Sequence, residues 1–513
     1  MSVRLFSASI NGIDAQLIEV EVDSTPGLHA FTIVGLADKA VQESKERIAS
    51  AIRTNALIPP SAKHKRIIIN LAPADIRKEG PAYDLPIAVG YLLETDQVKF
   101  NTSDKLFLGE LSLNGDVKPV NGVLSAAIMA HKQGFKEIIV PVINAGEASV
   151  VEGLRVFGVS TITELIDHLS GIKPLKPIPY QHPETVVSEA DGEAFRLIKG
   201  QESAKQALMV AAAGGHNILM SGPPGSGKTL LAKALIDLMP NLSFPEAIEV
   251  TRIYSSLGLV NGTSLLGTRP FRSPHHTTSA PAMVGGGTNP KPGEISLSHR
   301  GVLFLDELPE FPRHVLESLR EPLEEGIITV SRAAGSVRLP AKFTLVGAMN
   351  PCPCGNYGEP KATCVCSPMN VIRYRNKISG PLLDRIDIQI NVPRETATNK
   401  KEPLSLEKFQ DIKDKIALAR VTQYNRFKKA GIFTNAEITY RNIDKFCVLD
   451  AKAEETLQQA AENKSFSFRA YHKIKKLART IADLEGSELI TTSHIAQAIN
   501  LKINEKLLGE FVP

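Results

Sequence analysis

"GPPGSGKT", residues 222–229, is the stretch that decides the fold. The run before it, NILMS, has the length and apolar character of a buried strand, and the run after it, LLAKALIDLM, reads as a helix. The eight residues therefore form the turn between a strand and a helix N-terminus, with the spacing G-x-x-x-x-G-K-[ST]. Gly225 and Gly227 lack a Cβ, so their backbone N–H groups can face phosphate oxygens, to which the helix N-terminus also points its dipole. Lys228 is expected to reach the β- and γ-phosphates, and the Thr229 hydroxyl to ligate Mg2+. Gly222, Pro223, Pro224, Ser226 and Leu230 complete the loop and the first helical turn around a bound ATP. A glycine-rich turn arising by chance would not bring the strand and the helix with it.

Further along, GVLFLDEL (301–308) runs an apolar strand into Asp306 and Glu307. At a strand's C-terminal end Asp306 can hold the Mg2+ shell and Glu307 can polarise the attacking water. An Asp-Glu pair favoured by a helix dipole fits locally, but it does not predict the order of loop then acid pair. TLVGAMN (344–350) ends a third strand on Asn350, whose amide could orient that water or sense the γ-phosphate, or merely cap a turn. Recurrent short apolar strands with helical text between them predict a parallel α/β sheet over 191–395.

Directly after Asn350, PCPCGNYGEPKATCVCSP brings Cys352, Cys354, Cys364 and Cys366 together. Two C-x-C pairs can supply a tetrahedral thiolate set for structural Zn2+ that braces the ATP site. Unligated thiols and a redox-sensitive site remain open readings. Cys447 stands among apolar residues and reads as core.

Two insertions interrupt the sheet. Residues 251–300 are too long for a plain connection and carry Arg272, the pair His275-His276 and a Gly-Gly-Gly segment. GIITVSRAAGSVRLPAKF (326–343) reads as a hairpin with Arg332, Arg338 and Lys342 in or beside it. Adjacent histidines point in different directions, so without a third ligand nearby they are read as residues of the insert or pore.

Outside the middle block, residues 1–170 alternate β-rich and helical runs, 171–190 read as a proline-rich linker, and 396–513 are helical throughout. The chain has 513 residues, a net charge of +4, 43% hydrophobic and 22% charged residues, which fits several cores and no global field for nucleic acid. The absence of tryptophan speaks against an aromatic-cage or carbohydrate binder. The N-terminus carries no apolar signal stretch, no run of roughly 18 apolar residues offers a membrane span, and the clustered cysteines are no disulfide framework; a cytoplasmic protein is expected.

These pieces resemble an AAA+ ATPase, and the resemblance implies further roles. IKGQESAKQAL (198–208) is similar to the segment that wraps adenine, which puts Ile198, Gly200 and Gln201 nearest the base. SGPLLDRIDI (379–388) is similar to the arginine-finger segment of the magnesium-chelatase and MCM branch, so Arg385 would reach a neighbouring subunit's γ-phosphate; a local pairing with Asp384 or Asp387 is the plainer alternative. SFSFRAYHKIKKLARTIADL resembles a lid helix with a second sensor, for which Arg469 is the candidate and Arg479 the reserve. A finger acting in trans implies a homo-hexameric ring. In this branch such insertions line the pore, where Arg272, Arg332, Arg338 and Lys342 would track a phosphate backbone; cations on a solvated hairpin would look the same.

The N-terminal block resembles the Lon-protease-like domain through KEGPAYDLPIAVG (78–90) and LGELSLNGDVKPVNGVLSAAIMAHKQGFKEIIVPVINAGE (108–147). Where an active member presents its serine this chain has Ala82, and Leu124 and Ser125 stand where the lysine base is needed, which excludes Ser–Lys catalysis and leaves a docking or scaffolding module. SAKHKR (61–66) could meet DNA or be a solvated strand edge. The complete order is similar to the YifB/ComM family of bacterial magnesium chelatase-like ATPases. That likeness implies an ATP-dependent motor that promotes branch migration on single-stranded, double-stranded or branched DNA during recombination and natural transformation. A porphyrin-metallating chelatase subunit, an ATP-dependent protease and a regulatory assembly ATPase are the competing classes.

Overall fold

The computed structural model describes residues 2–62, 64–181, 192–260, 262–287, 290–332, 335–359, 362–395, 403–428, 431–463 and 466–502. It is a mixed α/β structure built on two principal sheets.

The N-terminal sheet has seven strands in the order Ala30–Val34, Lys65–Ala72, Asp14–Pro26, Val3–Asn11, Lys105–Phe107, Glu137–Pro141, Arg155–Val159. Strand Lys65–Ala72 shows why: Ile67, Ile69 and Leu71 alternate into the core while their neighbours face outward. It lies between two other strands, so the basic run 61–66 leads into the sheet's interior rather than along its edge. Helices Lys39–Thr54, Asp84–Glu94 and Val123–Lys132 cover the sheet, the first capped by Asp38 accepting from the Val41 N–H (2.8 Å). Residues 171–181, read as the start of a linker, pack back on this block: the Ile178 N–H donates to the Val156 carbonyl (2.8 Å) and that of Gln181 to Ser149 (3.2 Å). The remainder of that linker, 182–190, lies outside the described residues.

The second sheet is parallel throughout, in the order Phe271–Arg272, Val302–Leu305, Thr344–Met349, Ile218–Ser221, Ile388–Asn391. Its three middle strands are buried along their whole length, which accounts for their unbroken apolar sequence. Because all strands run the same way, the residues that follow Ser221, Leu305 and Met349 emerge at one edge. Strand order reverses beside Ile218–Ser221, and that crevice is where ligands bind in such sheets. Helices Leu406–Phe427, Ala451–Asn463, Phe468–Leu484 and Thr492–Lys502 complete the C-terminal block. Leu477, Ile481 and Ile495 share one apolar core with Ile218, Leu231 and Phe304, so this block is fused to the sheet's flank.

The N-terminal block docks on the central one. Leu124 and Val150 join Leu242, Ala247, Val250 and Leu265 in a common cluster, against helix Phe244–Ser256. The hairpin Ile327–Arg332/Gly335–Pro340 forms as read, with Val330 opposite Val337. It lies so close to the N-terminal turn that a Cβ on Gly12 would meet Val337 Cγ1 at 2.4 Å. Among the described residues no helix is long and apolar enough to cross a membrane.

Candidate nucleotide site and cysteine cluster

At the carboxyl edge of the parallel sheet, Gly225 (φ 77°) and Gly227 (φ 89°) adopt the left-handed conformation that only glycine holds without strain. A Cβ at either would point into open space, so the conformation and not crowding demands glycine. Gly227 caps helix Lys228–Leu238, leaving the first N–H groups of that helix facing the loop. The Lys228 ammonium is buried and donates to the carbonyls of Gly222 (2.7 Å) and Pro223 (3.0 Å) and to Asn350 Oδ1 (3.2 Å). Burial pushes its pKa below the ordinary lysine value, and the carboxylates of Asp306 and Glu307 pull it back up. Neutral oxygens are weaker partners for this cation than a phosphate would be. The Thr229 hydroxyl lies 3.4 Å from Asp306 Oδ2, and the buried Ser226 hydroxyl has no hydrogen-bond partner among the described residues. Two hard oxygen ligands on one spot, beside a loop of converging N–H groups, fit Mg2+ and a triphosphate.

Glu307 follows Asp306 in a left-handed turn (φ 51°), with its own N–H donating to Asp306 Oδ1 (2.9 Å). Its carboxylate meets His276 Nδ1 at 3.3 Å, so one of the two histidines read as an insert or pore residue stands beside the acid pair instead. Ile198 is buried, and Gly200 (φ 65°) sits where a Cβ would strike the Glu395 carboxylate at 2.5 Å. Gln201 donates from its side chain to the Pro393 carbonyl (2.6 Å) and from its backbone to Glu395 Oε1 (3.1 Å). Arg394 reaches across to the Pro224 carbonyl (2.8 Å). The segment 393–395 thus closes this corner, and its position just after strand Ile388–Asn391, on the edge that holds the loop, was the overlooked signal.

The two candidate arginines stand elsewhere. Arg385 precedes strand Ile388–Asn391, which pairs in register with Ile218–Ser221, so Arg385 lies at the amino edge of the sheet and Lys228 beyond the carboxyl edge. Four strand residues separate those edges by about 13 Å. Arg385 donates to Glu324 and to the Pro381 carbonyl (2.8 Å), not to Asp384 or Asp387. Arg469, at the start of helix Phe468–Leu484, approaches the same Glu324 at 3.9 Å. Arg479, the reserve, is buried and bound to Asp483 Oδ1 (3.0 Å) and to the carbonyls of Glu488 (2.6 Å) and Ser487, and so braces the helical block.

The pore cations divide. Arg338 is exposed on the hairpin, and the Arg332 side chain lies outside the described residues. Arg272 is engaged rather than free for a phosphate backbone, because its Nε and Nη2 donate to the two oxygens of Glu294 in a bidentate pair (2.7 Å to each). Lys342 likewise bonds Glu437 of the helical block at 3.1 Å.

The four cysteines do meet. Cys352 Sγ lies 3.4 Å from Cys354 Sγ and 3.7 Å from that of Cys364, Cys354 lies 3.6 Å from Cys364, and all four sulfurs fall within 4.8 Å of one another. Zinc–thiolate bonds of about 2.3 Å in a tetrahedron put sulfurs about 3.8 Å apart, so the set fits Zn2+. The backbone N–H groups of Asn356 and Val365 favour the Cys354 thiolate and bring its pKa down to about 6. Gly355 packs on the phosphate loop itself: a Cβ there would meet Pro224 Cδ at 2.5 Å. Cys447 is buried in the core, and that burial pushes its thiol up to about 11.

In the N-terminal block Ala82 packs among apolar neighbours, and its carbonyl accepts from Gly109 (3.0 Å). Ser125 is buried; its hydroxyl donates to the Ile13 carbonyl (2.6 Å) and accepts from Arg252 Nε (3.3 Å). Arg252 also holds the Ile13 carbonyl (3.2 Å) and Asp14 (2.5 Å), so the position at which the Lon-like resemblance expects a base is a joint between blocks.

Comparison with known proteins identifies the family. Family models described as magnesium chelatase subunit ChlI match residues 194–400, subunit ChlI of Mg-chelatase 20–144, and the ChlI C-terminal region 407–502. The competence protein ComM of Haemophilus influenzae is 40% identical over 509 residues, covering 98% of each chain. YifB of Escherichia coli is 41% identical over 502 residues, 97% of this chain and 96% of that one. The magnesium-chelatase 38 kDa subunit of Rhodobacter capsulatus is 29% identical over 175 residues, only 31% of this chain and 50% of its own. With relatives of that identity running its full length, the chain belongs to the YifB/ComM family of magnesium chelatase-like AAA+ proteins.

Proposed function

We propose that this protein is an ATP-hydrolysing AAA+ motor that works as a homo-hexameric ring on DNA and promotes branch migration during recombination. In this reading 1–170 is a Lon-protease-like scaffold without its dyad, 171–190 a connection, 191–395 the ATPase core, and 396–513 the lid. Ile198, Gly200 and Gln201 flank the adenine, and Lys228 with the loop N–H groups holds the β- and γ-phosphates. Thr229 and Asp306 would hold Mg2+, which neutralises charge on the β- and γ-oxygens. Glu307 takes the proton of a water aligned by Asn350; that water attacks the γ-phosphorus, and the bond to the bridging oxygen breaks to release ADP and phosphate. Cys352, Cys354, Cys364 and Cys366 would hold a closed zinc site that braces the phosphate loop and performs no chemistry.

The observation that carries the reading is the separation of Arg385 and Arg469 from Lys228 by the depth of the sheet. A site whose cations lie on the far edge is completed when a neighbour presents its own, and a head-to-tail contact of that kind closes into a ring when its rotation permits. DNA as the polymer rests on the likeness to the competence protein and on the exposed hairpin carrying Arg338. The chelatase alternative has less support, since that relative matches under a third of the chain.

The test compares ATPase rate and ring assembly with no addition, forked DNA, unfolded protein and porphyrin. Stimulation by forked DNA alone, with assembly in ATP, is expected. A chain that stays monomeric with ATP and DNA, or that hydrolyses ATP with indifference to DNA, refutes the motor.

A further inference from the structure

We propose that His276 is a positioning residue for hydrolysis: its Nδ1 holds the Glu307 carboxylate in the orientation from which it takes the water's proton. The proposal rests on the assignment of Glu307 as the base made above.

Glu307 needs such a partner. It is the last residue of a tight left-handed turn (φ 51°), its side chain is about half exposed at 54%, and an unrestrained glutamate there samples many rotamers. Among the described residues, no side chain other than His276 comes within ion-pair or hydrogen-bonding reach of that carboxylate (3.3 Å). His276 is itself held. Its ring lies 4.0 Å from that of His275, and His275 Nδ1 is fixed against the Thr277 hydroxyl at 2.9 Å. On another side the centre of the Phe311 ring stands 6.4 Å from that of the imidazole, with the two planes at 81°. Phe311 is buried at the end of the turn Leu308–Glu310 that follows the base, so clamp and base belong to one unit.

The chemistry suits positioning rather than proton transfer. At 3.3 Å, Nδ1 stands in pairing range of one carboxylate oxygen, and the second oxygen is left for the water. No proton moves between the two residues in this role. The imidazole also ties the base to the segment after strand Phe271–Arg272, which the bidentate Arg272–Glu294 pair anchors.

The test uses the full chain with ATP and Mg2+, alone and with forked DNA, and measures kcat, KM for ATP, nucleotide binding and elution size. His276→Ala is expected to lower kcat roughly 10- to 100-fold, the cost of an ill-positioned group. KM and nucleotide affinity stay within about twofold, as for loss of an interaction that matters only in the transition state. His276→Asn, whose amide nitrogen overlays Nδ1, restores kcat to within about threefold of the parent, whereas His276→Gln, which reaches toward Nε2, does not. In a Glu307→Gln background His276→Ala makes no further difference, because there is no base left to orient.

Parental or faster turnover by His276→Ala overturns the proposal, and so does equal rescue by Asn and Gln or an undiminished effect in the Glu307→Gln background. A parent that does not hydrolyse ATP, or a Glu307→Gln variant with normal turnover, instead removes the assignment of Glu307 and the positioning role with it.

Discussion

Lys473→Met is the perturbation whose size follows most directly from the structure. Asp387, two residues past Arg385, is buried; its carboxylate accepts from Lys473 Nζ at 2.6 Å and from the Asn217 N–H at 3.0 Å, with His216 Nδ1 at 3.7 Å. Burial works against its charge, but Lys473 and His216 overcome it and hold the carboxyl well below its ordinary range. Removing Lys473 strands a buried carboxylate beside a histidine whose own pKa burial lowers, so the loss should be about 3–5 kcal/mol. For a cooperative unit of this size that is a drop in Tm of roughly 6–10 °C at pH 7. The sign with pH is fixed. A depressed folded pKa contributes stability above the unfolded value of about 3.9 and loses it as pH falls through and below that value. The variant's carboxylate has lost that depression, so its deficit is full at pH 7 and narrows below about pH 5, where protonation removes the stranded charge. The double variant Asp387→Asn/Lys473→Met leaves no stranded charge and should recover most of the loss. Calorimetry across pH checks all three. A single variant that melts with the parent at pH 7, or a double variant no better than Lys473→Met, refutes the reasoning. Function is at stake as well, because the pair ties the segment of Arg385 to the helix of Arg469.

Subunits carrying Lys228→Ala or Arg385→Ala should each be nearly inactive alone, by about 10³-fold for the finger. Mixed one to one they should regain activity at about a quarter of the seams, where an intact loop meets an intact finger; no regain on mixing means that Arg385 does not act in trans. The parent should contain one zinc per chain and lose it on changing Cys364 and Cys366 to Ser, with weaker ATP binding because Gly355 rests on Pro224; elemental analysis that finds no zinc in the parent defeats this. Ala82→Ser should yield no peptidase activity, since the base position holds Ser125 engaged with Ile13 and Arg252; measurable cleavage of unfolded casein by that variant would show a base supplied from another position.

The grouping of the candidate nucleotide-site residues was legible because its parts are local. Each of Gly222, Asp306 and Asn350 follows a short, wholly buried apolar run, and a parallel sheet brings the ends of such runs to one edge without further instruction. The cysteines lie within one turn-rich loop, so proximity in sequence implied proximity in space. What was not legible depends on partners far along the chain. Arg272 looks free until Glu294 is placed beside it, and Lys342 until Glu437 arrives from 95 residues away. The contact of His276 with Glu307 crosses from one strand's insertion to another strand's end, and no periodicity encodes it. The packing of residues 171–181 was hidden for a related reason, since a proline-rich run gives no sign of the strand it rests on.

The joint at Ser125 gives that position a structural use of its own. Arg252 projects from helix Phe244–Ser256 and gathers the Ser125 hydroxyl, the Ile13 carbonyl and Asp14. A lysine at 125 would set a second cation against that guanidinium inside a packed contact, where like charges are least screened. Docking by Arg252 and a lysine base at 125 are therefore competing uses of one position. The same turn, Asn11 to Asp14, also bears on the hairpin, with Gly12 against Val337 and Ile13 in the cluster of Val330 and Leu339. Helix and hairpin both belong to the central block, so a shift of either must be felt at this turn. The turn thus serves as a mechanical seat for two elements of the central block, the helix that carries Arg252 and the hairpin that carries the exposed Arg338.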